Sequence, residues 1–331
     1  MPSSQREHKM QGFDPKFKDF PDYIIGITKE IWEDRGLATL HEYYAKDIVV
    51  RMPSGVSTGN QGVIGATMAT LAEFPDRKLL GEDVIWSGTP ETGMLSSHRI
   101  LSTATHLGDG GFGAATGKPL VYRIIADCHA RNNAIDDEWL VRDQGAIVRQ
   151  MGWDAKAYAA DLIAREGGPA AAVKPLCPET DIEGPYKGRG NDNKWGAKYA
   201  AILQQIMTAD LSVIPTEYDR AVQCEYPGGI TAYGPDAADR FWMALRAALP
   251  NATFQIDHQI GREDAMMPPR AALRWSLSGT HDGWGMFGPP TGAKIYLLGI
   301  CHAEFGPRGL RREYALFDET SVWKQILLHT G

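Results

Sequence analysis

The chain lacks a CxxC pair. Its four cysteines (Cys128, Cys177, Cys224, Cys301) are widely scattered, which excludes a zinc ribbon or thioredoxin-type motif and reads as free thiols in a reducing cytoplasm. No apolar run approaches the roughly 20 residues that span a bilayer, so no membrane partner is expected. The opening MPSSQREHKMQGFDPKFKDF has no apolar centre and does not read as a secretion signal. Positive charge is not in excess: 34 Lys and Arg face 41 Asp and Glu, a net charge of -7. That balance argues against nucleic acid, whose phosphates need a basic face. The nine histidines form no HxH or HxxxH pair, and no acidic cluster has calcium-loop spacing, so no metal is expected. What is present is an ordinary globular composition, 43% hydrophobic and 23% charged, over 331 residues. That length favours two domains.

An internal repeat organises the chain. Thr105-His106-Leu-Gly108-Asp-Gly110-Gly-Phe112-Gly113-Ala-Ala-Thr116-Gly117 aligns with Thr280-His281-Asp-Gly283-Trp-Gly285-Met-Phe287-Gly288-Pro-Pro-Thr291-Gly292 at an offset of 175, with eight of thirteen positions identical. The same offset pairs Arg99 with Arg274, Glu138 with Glu313, Trp139 with Tyr314 and Asp143 with Asp318. Upstream it pairs Ile31 with Ile206, Tyr43 with Tyr218 and Met68 with Met243. Two copies of one domain are expected at 17–153 and 193–331, joined by 154–192. Asp154 is placed to cap a short helix, and the Gly-, Pro- and Asp-rich stretch beyond it reads as a surface linker.

Each copy opens with helical spacing, as in Tyr199, Ile202, Leu203 and Ile206, with a further helix expected over Phe241–Leu249. Each closes with β patterns, in copy one over Met94–His106, Leu120–Arg131 and Ile135–Val148, with Asn132-Asn133 as a tight hairpin. Helices followed by an antiparallel sheet make an α+β layer pair. GxGxxG occurs twice, at Gly108–Gly113 and Gly283–Gly288. A dinucleotide loop must open a helix, and these stretches run into β patterns, so they read as turns. No cofactor is expected.

Acid–base chemistry remains. His106 and His281 recur in both copies, as do Asp143 and Asp318 among apolar neighbours. His129 lies one strand before Asp143, so the pair is expected to share a cavity, where a dry carboxyl has a raised pKa. Arg99 with Glu138 and Arg274 with Glu313 read as repeated ion pairs or as pocket walls. Tyr122, Trp139, Trp275 and Tyr314 read as core or as the lining of an aromatic pocket.

Thr280-His281 through Gly292, followed by Glu313-Tyr314-x-x-x-Asp318, resembles the SnoaL-like polyketide cyclases. So does Thr105-His106 … Thr116-Gly117-Lys118 … Glu138-Trp139-x-x-x-Asp143. That group belongs to the nuclear-transport-factor-two superfamily, with ketosteroid isomerase and scytalone dehydratase. The resemblance implies two cones, each of N-terminal helices on a strongly bent antiparallel sheet around a pocket, packed sheet on sheet as an intrachain pseudo-dimer; a homo-oligomer is a further option. It implies an aspartate acid/base, Asp143 or Asp318, assisted by His129, with no metal or organic cofactor. Copy two has Glu304 in place of His129, so the pockets are expected to differ, with copy one active. The expected activity is a cofactor-independent lyase or isomerase on a small apolar substrate, aromatic or polyketide-like, in the cytoplasm. The reaction would be aldol-type cyclisation, retro-aldol cleavage such as formaldehyde release from lignin-derived diols, or dehydration. The rival is a non-catalytic binding module of the same fold.

Overall fold

The computed structural model describes residues 10–331. Residues 1–9, which begin the stretch read as lacking a secretion signal, lie outside them. In copy one Asp19 caps α1 (Phe20–Thr28) by accepting from the Asp22 N–H, and a proline sits in the first turn, where its missing N–H is harmless. The helix then widens into a π turn (Lys29–Glu33). After α2 (Leu40–Tyr43) come β1 (Tyr44–Met52), β2 (Gly55–Thr58) and α3 (Asn60–Glu73). The sheet is completed by β3 (Lys78–Thr89), β4 (Gly93–Thr105), β5 (Pro119–Arg131) and β6 (Ala134–Arg142), and α4 (Gln144–Met151) closes the unit.

A bridging helix, α5 (Ala155–Arg165), is capped by Asp154, as expected from sequence. It packs on the last helix of the chain, where Lys324 Nζ lies 2.6 Å from Glu166 just beyond its end. Copy two repeats the plan without the π turn. It contains α6 (Lys194–Met207), α7 (Val213–Glu217), β7 (Tyr218–Tyr226), β8 (Ile230–Tyr233), α8 (Pro235–Ala248), β9 (Thr253–Arg262), β10 (Arg270–Thr280), β11 (Lys294–Gly306), β12 (Gly309–Phe317) and α9 (Glu319–Thr330).

Both sheets have one strand order, β2-β1-β6-β5-β4-β3 and β8-β7-β12-β11-β10-β9. They are antiparallel except where β1 meets β6 and β7 meets β12, which run parallel. Register shifts at Gly81/Asp83 and His129/Ala130, and at Arg274/Trp275 and Glu304/Phe305, bend the sheets around their helices. Asn132 and Asn133 both take positive φ, as a two-residue hairpin turn of this hand requires. The Gly-rich stretches are turns that lead into β5 and β11, each closed by one bridge, Gly110 to Gly113 and Gly285 to Gly288. Two boundaries differ from the sequence pattern. The strand expected to Val148 stops at Arg142, because Asp143 captures the Ala146 N–H and starts α4. The helix expected from Phe241 begins at Pro235, whose ring suits a first turn.

Because side chains alternate along a strand, each sheet has an inner face toward its own helices and an outer face. In copy one His98, Ala126, Cys128 and Glu138 point inward, and Arg99, Asp127 and Trp139 point outward. The outer faces of the two sheets meet. Arg274 lies 3.6 Å over the Trp139 ring and bonds Asp127 at 2.7 Å. Reciprocally, Arg99 lies 3.5 Å over the Tyr314 ring and bonds His302 at 3.0 Å. Among the described residues no helix is long and apolar enough to cross a membrane.

Candidate active site

The inner face of copy one encloses a cavity of about 70 Å³, walled by Ile24 and Ile27 of α1, Trp32 of the π turn, and β3–β6. It separates two hydrophobic clusters. One, around Tyr23, Tyr44, Cys128 and Ile135, packs under the N-terminal helices. The other, around Phe74, Ile100, Tyr122 and Ile124, packs against α4. Glu138 is the one carboxyl in the cavity wall. Burial pushes it up to about 7, opposed only by a bond from the Cys128 thiol. His98 lies on the neighbouring inward row, its Nδ1 3.1 Å from Ser96 Oγ, and burial pushes it down to about 4. The imidazole is therefore neutral at physiological pH. Tyr44 lies beside Glu138 without a hydrogen bond to it. Arg77 and Arg142 complete the polar wall.

The same place in copy two is filled. Trp275 stands where copy one has Ile100, and its indole covers Gly299, where any Cβ would collide with the ring. Trp242 replaces Thr67, and both tryptophans are fully buried in one continuous core. The polar wall is gone: His98, Arg77, Arg142 and Cys128 correspond to Leu273, Ala252, Phe317 and Ala303. Glu313 remains, but four donors hold it. Tyr199 and Tyr218 donate to Oε1 at 3.0 and 2.7 Å, and Tyr226 and Trp242 to Oε2 at 2.8 and 3.2 Å.

The model of the SnoaL-like polyketide cyclase family matches residues 23–151 and again 198–326. The chain belongs to that family. Among solved structures it is similar to IdmH, a putative polyketide cyclase from Streptomyces antibioticus, at 25% identity over 40% of this chain and 98% of that one, TM-score 0.35. A putative polyketide cyclase from Acidithiobacillus ferrooxidans is 18% identical over 40% and 92%, TM-score 0.35. AclR, a putative hydroxylase from Streptomyces galilaeus, is 17% identical over 41% and 85%, TM-score 0.34. No match is found among curated proteins.

In this SnoaL-like chain the residues singled out from sequence fall in separate places: Tyr122, Asp143 and Tyr314 line a cleft of about 570 Å³ together with Arg123, Arg149 and Glu225, Trp139 and Arg274 line another, and the rest stand apart from both. Asp143 and His129 do not share a cavity. Asp143 lies opposite Arg123, six residues along β5 from His129, or roughly 20 Å at strand spacing. Its carboxylate caps α4 through the Ala146 N–H and accepts the Gly228 and Gly229 N–H groups of copy two at 2.8 and 2.9 Å. Burial pushes it up to about 6. Asp318 caps α9 through Thr320, and burial pushes it up to about 7. His129 is on the outer face, bonded to Asp136 at 2.5 Å and covered by Tyr186 of the linker. Glu304 is an ion-pair partner of Arg312.

His106 joins Thr116 to Glu73, which also accepts the Gly111 and Phe112 N–H groups, so it pins the Gly-rich turn to α3. His281 bonds Thr291 in the same way, but Ala248 stands where Glu73 would be and its Nε2 has no partner. The expected ion pairs Arg99–Glu138 and Arg274–Glu313 do not form, because each arginine faces out and each glutamate in. Arg99, Arg274, Trp139 and Tyr314 belong to the contact between copies, and Trp275 to the core of copy two. Tyr122 is buried, its hydroxyl beside Arg77. Of the expected residues Glu138 alone lines the copy-one cavity; His98, Cys128, Arg77 and Arg142 were missed. A signal for them exists at the repeat offset, where each is polar in copy one and apolar in copy two. Among the described residues no group of three or more His, Cys, Asp or Glu side chains is arranged to hold a metal.

Proposed function

We propose that the cone of copy one is the reaction chamber of a cofactor-independent cyclase or isomerase and that copy two is its scaffold, the two forming an intrachain pseudo-dimer of units 17–153 and 193–331. The observation that carries this reading is the contrast at one register position. Glu313 is held by four donors in a filled core, whereas Glu138 keeps one weak donor beside open space. A carboxyl poised near 7 is matched to proton transfer at neutral pH. In this scheme Glu138 takes a proton from a carbon next to a carbonyl. In the tautomer this scheme requires, the Ser96 hydroxyl donates to Nδ1 at 3.1 Å rather than to the Cys128 carbonyl at 3.4 Å, and the Nε2–H of His98 donates a hydrogen bond to the developing enolate oxygen. A neutral imidazole suits this, since it stabilises the oxygen without surrendering its proton. The enolate carbon attacks a second carbonyl of the same molecule, and the new alkoxide recovers the proton from Glu138. Substrate and product are isomers, so no co-reactant enters. Run backwards, the same steps give retro-aldol cleavage.

The test is turnover of a panel of linear polyketide esters and aromatic hydroxy ketones, followed by mass spectrometry. Glu138→Gln is expected to lower kcat by at least about 100-fold, the scale of general acid–base groups, with Glu313→Gln within a few-fold of wild type. Wild-type turnover in Glu138→Gln overturns the assignment of Glu138, and binding of panel members with no turnover of any of them by the wild type leaves a binding module.

A further inference from the structure

The copy-one cavity holds two guanidinium groups without a carboxylate partner. Arg77 is 6% exposed. Its Nε donates to Ser102 Oγ at 3.3 Å, and its remaining neighbours are the Tyr122 hydroxyl and Arg142. Arg142 is half-buried at the cavity rim, and its Nε is buried with no hydrogen-bond partner. Neither arginine takes part in an ion pair among the described residues, although most of the other buried arginines do, as Arg51, Arg99, Arg270 and Arg274 show. Two adjacent cations, one buried and one half-buried, repel one another and have lost part of their water, a costly arrangement unless an anion completes it.

The cavity's own carboxyl is not that anion. Glu138 is four residues from Arg142 along β6, roughly 13 Å at strand spacing, and neither guanidinium is among the groups that perturb it. His98 lies between them, on the row paired with Ala126 and Leu140, and is neutral. The cavity thus has a cationic end at Arg77 and Arg142, an acid–base end at Glu138, and apolar walls from Ile24, Ile27 and Trp32. Copy two, whose cone is filled, has Ala252 and Phe317 at the arginine positions, so the fold does not need these charges.

We propose that Arg77 and Arg142 form a seat for a carboxylate, and that the ligand of this cone is an apolar carboxylic acid held by its carboxylate with its reactive carbon toward Glu138. The guanidinium fork matches a planar carboxylate in two-pronged fashion. This names the substrate class for the reading above and rests on that reading for the direction in which the ligand lies.

The test is calorimetric titration of the full chain with matched probes in low-salt buffer: benzoate against benzamide, and hexanoate against hexanamide. Each acid should bind at least about tenfold more tightly than its amide. Arg142→Gln should bring the acids down to the level of the amides and leave amide binding unchanged. Arg77→Met, checked for folding by circular dichroism, should do the same. Glu138→Gln should keep the preference. Equal binding of acid and amide, no binding of either acid, or a preference that survives Arg142→Gln overturns the seat. The two proposals fail separately: Glu138→Gln with full turnover and an intact acid preference removes Glu138 from the chemistry and leaves the seat. Lost turnover in Glu138→Gln without any acid preference removes the seat and leaves the reaction.

Discussion

Copy one and copy two share a strand order and a glutamate at one register position, yet that glutamate lives in two different surroundings. In copy two the inner face is one continuous core, with Trp242 and Trp275 in the centre and three tyrosines and a tryptophan around Glu313. In copy one the core is divided. Tyr23 turns its hydroxyl to the Asn133 carbonyl, and Met52 and Thr67 stand where Tyr226 and Trp242 would donate. Burial raises both carboxyls, but in copy two four donors oppose it and in copy one a single thiol does. The donors and packing around the carboxyl, not the backbone or the carboxyl itself, separate a structural glutamate from a poised one. The π turn adds to the difference. It puts Trp32 on the cavity wall at a place where α6 runs as unbroken α-helix, and such widened turns recur at functional sites.

The comparison can be broken at its filled end first. Trp275→Ala should destabilise the protein by about 3–5 kcal/mol, the scale of emptying a large core site, while turnover per folded molecule holds. Denaturant unfolding and the esterified-polyketide assay check both halves of that statement. A large loss of turnover with little loss of stability would place the chemistry in copy two.

The next effect is the pH dependence of stability. Because the folded-state pKa of Glu138 is raised from 4.5 to about 7, its contribution to stability is full below about pH 4.5 and is lost as pH rises through 7. The folded state binds the extra proton across that window. Glu138→Gln removes the dependence, so its stability advantage over wild type should grow by up to about 3 kcal/mol between pH 4.5 and 8. Pairwise unfolding curves isolate this term from Asp143 and Asp318, which are raised in both proteins. A constant difference across that range contradicts the buried carboxyl.

A smaller effect comes from giving copy one a residue of copy two. His98→Leu, the side chain found at Leu273, should lower kcat about 100-fold, the low end for a lost oxyanion donor, and leave Tm unchanged or higher. An unchanged kcat would remove His98 from the mechanism.

The duplication, the leading helices and the family are plain in the sequence, because these follow from periodicity and from a repeated motif, whereas β1 and β2, which precede α3 and join the sheet by a parallel pairing, are not. The site was less legible, and the reason is parity. Along a strand a shift of one residue reverses the face. The repeat suggests an ion pair of Arg99 with Glu138, yet Arg99 and Trp139, the neighbour of Glu138 in sequence, occupy the opposite face and make the contact between copies, and His129, expected beside Asp143, lies on that outer face under Tyr186 of the linker. Asp143 was read as the end of a strand because Ala146, Ile147 and Val148 extend the apolar pattern. Its capping bond to the Ala146 N–H, not the apolarity, decides that a helix starts there. His98 stood outside the shared motifs, and its significance lies in a difference between the copies rather than in an identity.

The central claim is that one cone is open and the other filled, and the tryptophan indoles report on both at once. Trp32 lines the copy-one cavity, while Trp242 and Trp275 fill the core of copy two. In a two-dimensional NMR titration of the indole-¹⁵N-labelled chain with benzoate, the Trp32 signal should shift in a saturable way and those of Trp242 and Trp275 should stay in place. Saturable shifts at Trp242 or Trp275 with Trp32 unmoved would contradict the account.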